Sequence, residues 1–325
     1  MTYLDRMRET DGNFSTHKNA PVVVPMRVGR SLPAMTRPNR RVWLAKRRKG
    51  ITATDVPALL GLSPWKTPLD VWLDKTGRAD EVEVSYAMER GNALEPLLRG
   101  EYQRQTGLIL IDCPPLSRHP SDPLALASLD AAVEAEEGHR IVEIKTTGWR
   151  DREVWWDESL QVPDHYLAQV AWQQYVTGCE VADMIADVAG DVRIIAGITR
   201  SREFEAYAVP LMHRWWRDHV VADVAPPIDP VRDYEALGLL WEPIPGERVT
   251  ASEEVVAWCR EYAAAGADEA AAKQRKKEPR GRVREAMADA SRLVDAEGRT
   301  WAWINKRGAL TIRPPKHEER EETDE

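Results

Sequence analysis

The chain has 325 residues, 30% charged and 7% aromatic, the balance of a soluble globular protein with one large domain or two modest ones. No stretch approaches the roughly 20 consecutive apolar residues of a membrane-spanning helix, and the N-terminal segment lacks the basic-then-apolar order of a secretory signal. The net charge of −8 argues against a uniformly basic DNA-coating protein, yet Met26–Gly50 holds nine Lys/Arg and no acid, leaving −17 on the remainder, a pattern that suits a local polyanion contact or a solvated basic arm.

Residues 1–40 are polar and proline-rich without a sustained period, and a flexible basic arm is expected there. A helix is expected from Thr52–Asp55 to Gly61, where ITATDVPALLG sets small capping residues before an apolar run, and a second over 68–76 with proline in its first turn. Residues 85–106 read as a helix kinked or restarted near Gly91 and Pro96. The pattern then turns to period two. LALASLDAAVE (124–134) and Ile141–Thr147 read as strands joined by a compact polar turn. A helix over 164–178, two strands within 181–200 and a helix over 203–220 follow. VVADVAPPIDP has the proline content of a linker. Residues 250–265 and 266–292 resemble two helices interrupted near Pro279–Gly281. Residues 298–313 read as a hairpin turning at Arg307-Gly308, and 315–325 as an acidic disordered tail. Cys113, Cys179 and Cys259 are too scattered for a disulfide framework or a four-thiolate metal site, so a reducing cytoplasm is expected.

The paired strands carry the chemistry. If they pair antiparallel about the point between Glu136 and Glu137, Asp130 faces Glu143 and Ser128 faces Lys145, and all four share one sheet face. Two adjacent acids repel unless a cation joins them, and one lysine does not balance both, so a hard divalent ion such as magnesium is the natural complement. Magnesium keeps waters and can activate one against a phosphodiester. Lys145 would position or deprotonate that water, or neutralise charge on the phosphate. Glu-x-Lys is equally the pattern of a cross-strand salt pair, and the residues alone leave both readings open. Trp215 and Trp216 read as packing residues, and Trp156 as lying near DNA before VPDHY. His119, His139, His165 and His213 show no metal-ligand spacing.

SLD-(12)-EIK resembles the PD-(D/E)xK nuclease core, and its surroundings resemble the YqaJ-type viral recombinases, the alkaline exonucleases typified by phage lambda exonuclease. Five places match in order: WLAKRRKGITATDVPALLGLSPW, RGNALEP, LALASLDAAVE, IVEIKTTGW and VPDHYLAQVAWQQYVTG. FEAYAVPLMHRWWRDHVVADVAPPID fits the closing helix of that domain. The resemblance implies an α/β restriction-endonuclease-like core over 41–228, a central mixed sheet flanked by helices. Beyond it, 229–314 reads as an extension of helical hairpin and β-hairpin.

Residue by residue, the resemblance implies Asp130 and Glu143 as metal-binding carboxylates, the Ile144 carbonyl as a further ligand, and Lys145 as the catalytic lysine. It also implies Glu95 as the helix acid completing the site; without it, Glu95 reads as a capping-box residue after Asn92. Tyr166 and Gln169 match positions lining the active site, and Gln173 stands where wider relatives often carry tyrosine. Arg47, Thr54 and Ser128 match positions that hold a terminal 5′-phosphate, although threonine replaces serine there. A helix N-terminus beside Thr54 and a nearby guanidinium suit an anion. Trp43 stands where an aromatic stacks on the first base or packs in the core.

The implied activity is a magnesium-dependent exonuclease, with manganese able to substitute. It would act 5′→3′ on double-stranded DNA ends and leave 3′ single strands for an annealing protein in phage-type recombination. A ring-shaped trimer and, for a phage-encoded enzyme, the bacterial cytoplasm belong to the same implication. A structure-specific or nicking endonuclease on this fold and a non-catalytic DNA-end binder are the alternatives. Intact Asp130, Glu143 and Lys145 weigh against the binder.

Overall fold

The computed structural model describes residues 37–79, 84–135, 138–148, 162–241 and 243–314. The segment 1–36, the tail 315–325, and Trp155 and Trp156 lie outside the described residues. The chain divides into two compact units, Met1–Glu242 and Pro243–Glu325. No helix among the described residues is long and apolar enough to cross a membrane.

The basic segment is helical where it is described: α1 spans Arg37–Arg47, so the expected arm does not extend to residue 40. At Gly50 a Cβ would lie 2.4 Å from the Leu124 carbonyl oxygen, and only glycine permits that approach. Ile51 N–H then donates to the same carbonyl at 2.7 Å and opens β1 (Ile51–Thr52), parallel to β4 (Ala125–Ala127). The next helix, α2 (Val56–Leu59), is a single turn rather than a helix running to Gly61. Its backbone relaxes at Leu60, and Gly61 turns left-handed at φ 73°. In α3 (Pro68–Thr76), Thr67 and Asp70 form a capping box and Gly77 is the left-handed C-cap.

The long helix α4 (Tyr86–Thr106) runs without the expected restart. An interior proline removes one helical hydrogen bond, but Leu98 and Tyr102 on the same helix are fully buried against Ala131, Val133, Val142 and Ile185. That packing outweighs the loss at Pro96. Gly91 marks a close approach to the sheet, since a Cβ there would lie 3.3 Å from Thr146 Oγ1.

The main sheet has the order β2-β5-β6-β7-β8, with β2 Leu110–Ile111, β5 Ala131–Ala135, β6 Gly138–Thr147, β7 Val181–Val188 and β8 Asp191–Thr199. β6 and β7 are parallel and the other neighbours antiparallel. A parallel pair needs a crossover, which α5 (Asp164–Thr177) supplies. Successive residues of a strand face opposite ways: Val142 packs toward α4, while Ile141 packs with Val170 of α5. The mixed sheet flanked by helices expected from the sequence is the architecture that forms.

LALASLDAAVE is not one strand. Ala125–Ala127 form β4 in a separate sheet of order β1-β4-β3, with β3 at Ser117–Arg118. Both edges of β4 are taken by these neighbours, so the chain bends over Ser128–Asp130 before β5 begins.

After α6 (Arg202–Trp215) the helix loosens into a π-helical segment, Trp216–Val221. Trp215 and Trp216 pack against the cluster of Trp172, Phe204 and Met212, as expected of packing residues. The chain stays on the first unit beyond residue 228: Arg232 Nη2 donates to the Ser63 carbonyl at 2.6 Å. Ala236, just before α7 (Leu237–Leu240), packs with Leu69, Trp72 and Leu73.

The second unit holds α8 (Glu253–Arg275), α9 (Lys277–Met287) and a sheet of order β11-β10-β9. Its strands are β9 Arg292–Val294, β10 Thr300–Ile304 and β11 Leu310–Ile312. The expected interruption at Pro279–Gly281 falls inside α9, because Pro279 sits in the first turn, where its missing N–H would have no helical partner. Gly308 turns the hairpin at φ 77°.

Candidate active site

β5 and β6 pair Ala131 with Val142 and Ala132 with Ile141, the register expected from the sequence. Asp130 therefore sits one residue beyond the last pair, level with Glu143. Its Oδ2 accepts the Ile144 N–H at 2.8 Å. Ser128 does not face Lys145, because the ladder ends at Ala131.

Glu143 and Lys145 share the face toward α5. Lys145 Nζ donates to Glu143 Oε1 at 2.6 Å and to Gln169 Oε1 at 3.0 Å. Gln169 Nε2 donates to Glu143 Oε1 at 2.5 Å, and Gln173 Nε2 to Glu143 Oε2 at 2.7 Å. The Lys145 ammonium lies 4.9 Å from the centre of the Tyr166 ring, a cation–π distance. Tyr166, Gln169 and Gln173 thus form one stripe of α5 over a carboxylate that is 2% exposed and depends on these donors. Gln173 keeps a full part in this cluster although the tyrosine of wider relatives is missing.

Burial, and then the nearby Glu143, push the Asp130 carboxyl up to about 8. Burial likewise raises Glu95 on α4; Arg99 opposes the rise and Glu143 adds to it. Burial pulls Lys145 down, but Glu143 and Asp130 reverse this and hold it above its ordinary value, so it is an ammonium at neutral pH. Glu95 is not a capping residue, since Asn92 lies within α4 and Ser85 caps that helix by accepting the Met88 N–H.

Arg99, which sequence reasoning missed, ties the neighbourhood together. It donates to the Asp130 carbonyl at 2.6 Å and to Asp112 at 2.7 Å, and lies 3.9 Å from Glu95. The i,i+4 spacing of Glu95 and Arg99 was the signal available.

No set of three His, Cys, Asp or Glu side chains among the described residues converges closely enough to hold a metal. Asp130 instead takes the Ile144 amide, while Glu143 takes Lys145 and two glutamines. In charge and donor chemistry the residues do fit a hard divalent ion. Glu143 adds to the charging cost of both Asp130 and Glu95, a single lysine stands beside Asp130 and Glu143, and all three acids offer oxygen ligands.

A second constellation lies at α1. The Arg47 guanidinium stands 4.5 Å over the Trp43 ring and donates from Nη2 to Thr54 Oγ1 at 2.8 Å and Thr52 Oγ1 at 3.1 Å. Trp43 Nε1 donates to the Pro115 carbonyl at 2.9 Å and to Ser128 Oγ at 3.2 Å. Arg47, Thr54 and Ser128, expected at the phosphate, and Trp43, expected at the first base or in the core, therefore form one connected chain of contacts. The expected helix N-terminus beside Thr54 contributes little, because α2 is one turn long. Asp55 at its start brings its own carboxylate, held by Lys75 at 2.6 Å, Lys66 at 3.0 Å, and the Thr52 hydroxyl at 2.7 Å. Lys75 Nζ also donates to the Arg47 carbonyl at 3.1 Å. Asp55 and Lys75 were not legible as partners from their spacing. His213 pairs with Asp122 at 2.8 Å and His119 stacks on Tyr175, so both have structural partners.

Residues 42–180 match the model of the YqaJ-like viral recombinase domain. The uncharacterized protein YqaJ of Bacillus subtilis (strain 168) is 32% identical over 194 residues, which cover 59% of this chain and 60% of the relative. The chain thus spans about three fifths of that relative's length. Among solved structures, an alkaline exonuclease from Laribacter hongkongensis is similar at 19% identity and TM-score 0.47, over 61% of this chain and 99% of the other. A phage-related exonuclease from Haemophilus somnus 129PT is similar at 12% identity and TM-score 0.40, over 54% and 96%. The segment that carries these residues, 42–180, is thus similar to the YqaJ-like viral recombinase domain, and the chain is similar to the Bacillus subtilis protein over three fifths of its length.

Proposed function

We propose that the chain is a divalent-metal-dependent deoxyribonuclease, a DNA exonuclease working 5′→3′ from double-stranded ends with magnesium, or with manganese in its place. It would leave 3′ single strands for an annealing protein. The observation that carries this reading is Asp130 level with Glu143 beside one lysine at the end of the β5–β6 pair, where Glu143 adds to the rise of both Asp130, to about 8, and Glu95. A protein that only bound phosphate would gain nothing from such acids, which repel it. The YqaJ-like domain supports the same reading.

Asp130, Glu143, Glu95 and the Ile144 carbonyl would hold the ion. When bound, the ion supplies Lewis-acid polarisation of the scissile phosphate and a more acidic water. Lys145, held as an ammonium, neutralises charge that develops on the phosphate. Gln169 and Gln173 fix the orientation of the Glu143 carboxylate, and the Tyr166 ring covers Lys145. Arg47 and Thr54 grip a terminal 5′-phosphate, while Ser128 and Pro115 hold the Trp43 indole so that the ring face away from Arg47 can meet the first base.

The test is digestion of a linear duplex labelled at either the 5′ or the 3′ end, beside a covalently closed circle, with magnesium. The reading expects progressive release from 5′ ends and an intact circle. Release from 3′ ends overturns the polarity, cleavage of the circle overturns the exonuclease mode, and no hydrolysis with any divalent ion overturns the whole.

A further inference from the structure

The second unit presents a face that the nuclease reading leaves unused. On its central strand β10, Trp303 pairs with Arg292 of β9 and Thr311 of β11. Two residues earlier, Trp301 lies level with Arg313, whose N–H donates to the Trp301 carbonyl at 2.9 Å. Side chains two apart share a face and directly paired residues project together, so two tryptophans and two arginines stand on one side of this sheet. The opposite side carries Ala302, which is fully buried.

Trp301 is held in place: its indole N–H donates to Asp295 at 2.8 Å, and Arg299 neutralises that acid at 2.7 Å. Trp303 is 36% exposed, and its indole makes no hydrogen bond or ring contact with the described residues. Packing gives no reason for a free tryptophan between exposed guanidiniums. The local charge points the same way. Residues 273–313 hold twelve Lys/Arg and five Asp/Glu in a chain whose net charge is −8. Lys306 and Arg307, exposed at the hairpin turn, extend the positive charge beside the aromatic face.

An exposed aromatic on a cationic sheet suits single-stranded nucleic acid, whose bases offer open π-faces while its phosphates meet the cations. A duplex keeps its base faces stacked and would leave Trp303 idle. We propose that this sheet face binds single-stranded nucleic acid, one base stacking on Trp303 and the neighbouring phosphates meeting Arg292 and Arg313. The inference does not rest on hydrolysis, so binding is measured without it.

The experiment uses the full chain in EDTA with a fluorescein-labelled oligothymidine, followed by anisotropy over a range of salt. Trp303→Ala weakens binding about tenfold or more, whereas Trp303→Phe, which keeps a stacking ring, stays within about threefold. Arg292→Ala with Arg313→Ala, both solvent-exposed and therefore tolerant of change, lowers the slope of log affinity against log salt by about 1.4, the loss of two single-strand phosphate contacts. Wild-type binding by Trp303→Ala, equal losses in the alanine and phenylalanine variants, or an unchanged salt slope in the double variant would each overturn the proposal. So would an equal loss of affinity for a blunt duplex, which would mark a general charge effect rather than stacking.

Discussion

Replacing Lys75 by methionine removes one half of a fully enclosed ion pair. Lys75 and Asp55 are each 1% exposed at the side chain and meet at 2.6 Å. Burial pulls the Lys75 ammonium below its ordinary value against the opposing pull of Asp55. Burial also pushes Asp55 up, yet Lys66, Lys75 and Arg47 together hold it well below the usual carboxylate range. The pair as a whole therefore gives little net stability, but each half is costly to leave alone: stranding one buried charge costs about 3–5 kcal/mol. Lys66 and Thr52 still contact Asp55, which places the loss near the lower end, about 3 kcal/mol. For a unit of this size that is a fall in melting temperature of about 6–12 °C. Adding Asp55→Asn removes the stranded charge and restores most of the loss. Thermal unfolding of wild type, both single variants and the double variant gives the coupling directly. A Lys75→Met melting temperature within about 2 °C of wild type, or a double variant that merely adds the two losses, would refute the reasoning. The low Asp55 value also means that the pair contributes above the unfolded carboxylate value of about 3.9 and is lost only as pH falls through the folded value.

Lys145→Ala and Glu143→Ala are each expected to lower turnover on linear duplex by at least about a hundredfold while DNA binding persists; turnover within tenfold of wild type would remove either residue from the mechanism. Asp130 must lose its proton to take a metal, so magnesium affinity by calorimetry should climb nearly tenfold per pH unit below about 8 and level off above it. A flat profile from pH 6 to 8 contradicts this. Because the folded Asp130 value lies above the unfolded one, its ionisation opposes folding. Metal-free protein should therefore melt lower at pH 9 than at pH 6, with added metal reversing the difference. Arg47→Ala should abolish a preference for 5′-phosphorylated ends, and equal losses on phosphorylated and hydroxyl ends would defeat that role.

Much of the site was legible because it depends on local rules. Period-two alternation and a single turn centre set the Ala131–Val142 register, which brings Asp130 level with Glu143. Helical spacing put Tyr166 and Gln169 on one face, and the same spacing extends to Gln173. The features that escaped depend on distant partners. LALASLDAAVE alternates like one strand, but β1 and β3 take both edges of β4, so the strand breaks and Ser128 turns to Trp43. Pro96 reads as a break, yet Leu98 and Tyr102 bury enough surface to carry the helix through it. Asp55 and Lys75 meet only after α2 and α3 pack together. Arg99 gathers Asp130, Asp112 and Glu95 from three separate stretches of chain.

The most direct measurement is anomalous diffraction from crystals saturated with manganese. The account predicts a peak within coordinating distance of Asp130 and Glu143, with Asp130 turned away from the Ile144 amide to reach it. A saturated crystal with no peak between those carboxylates, or with its only peaks elsewhere on the chain, would contradict the metal-centred mechanism.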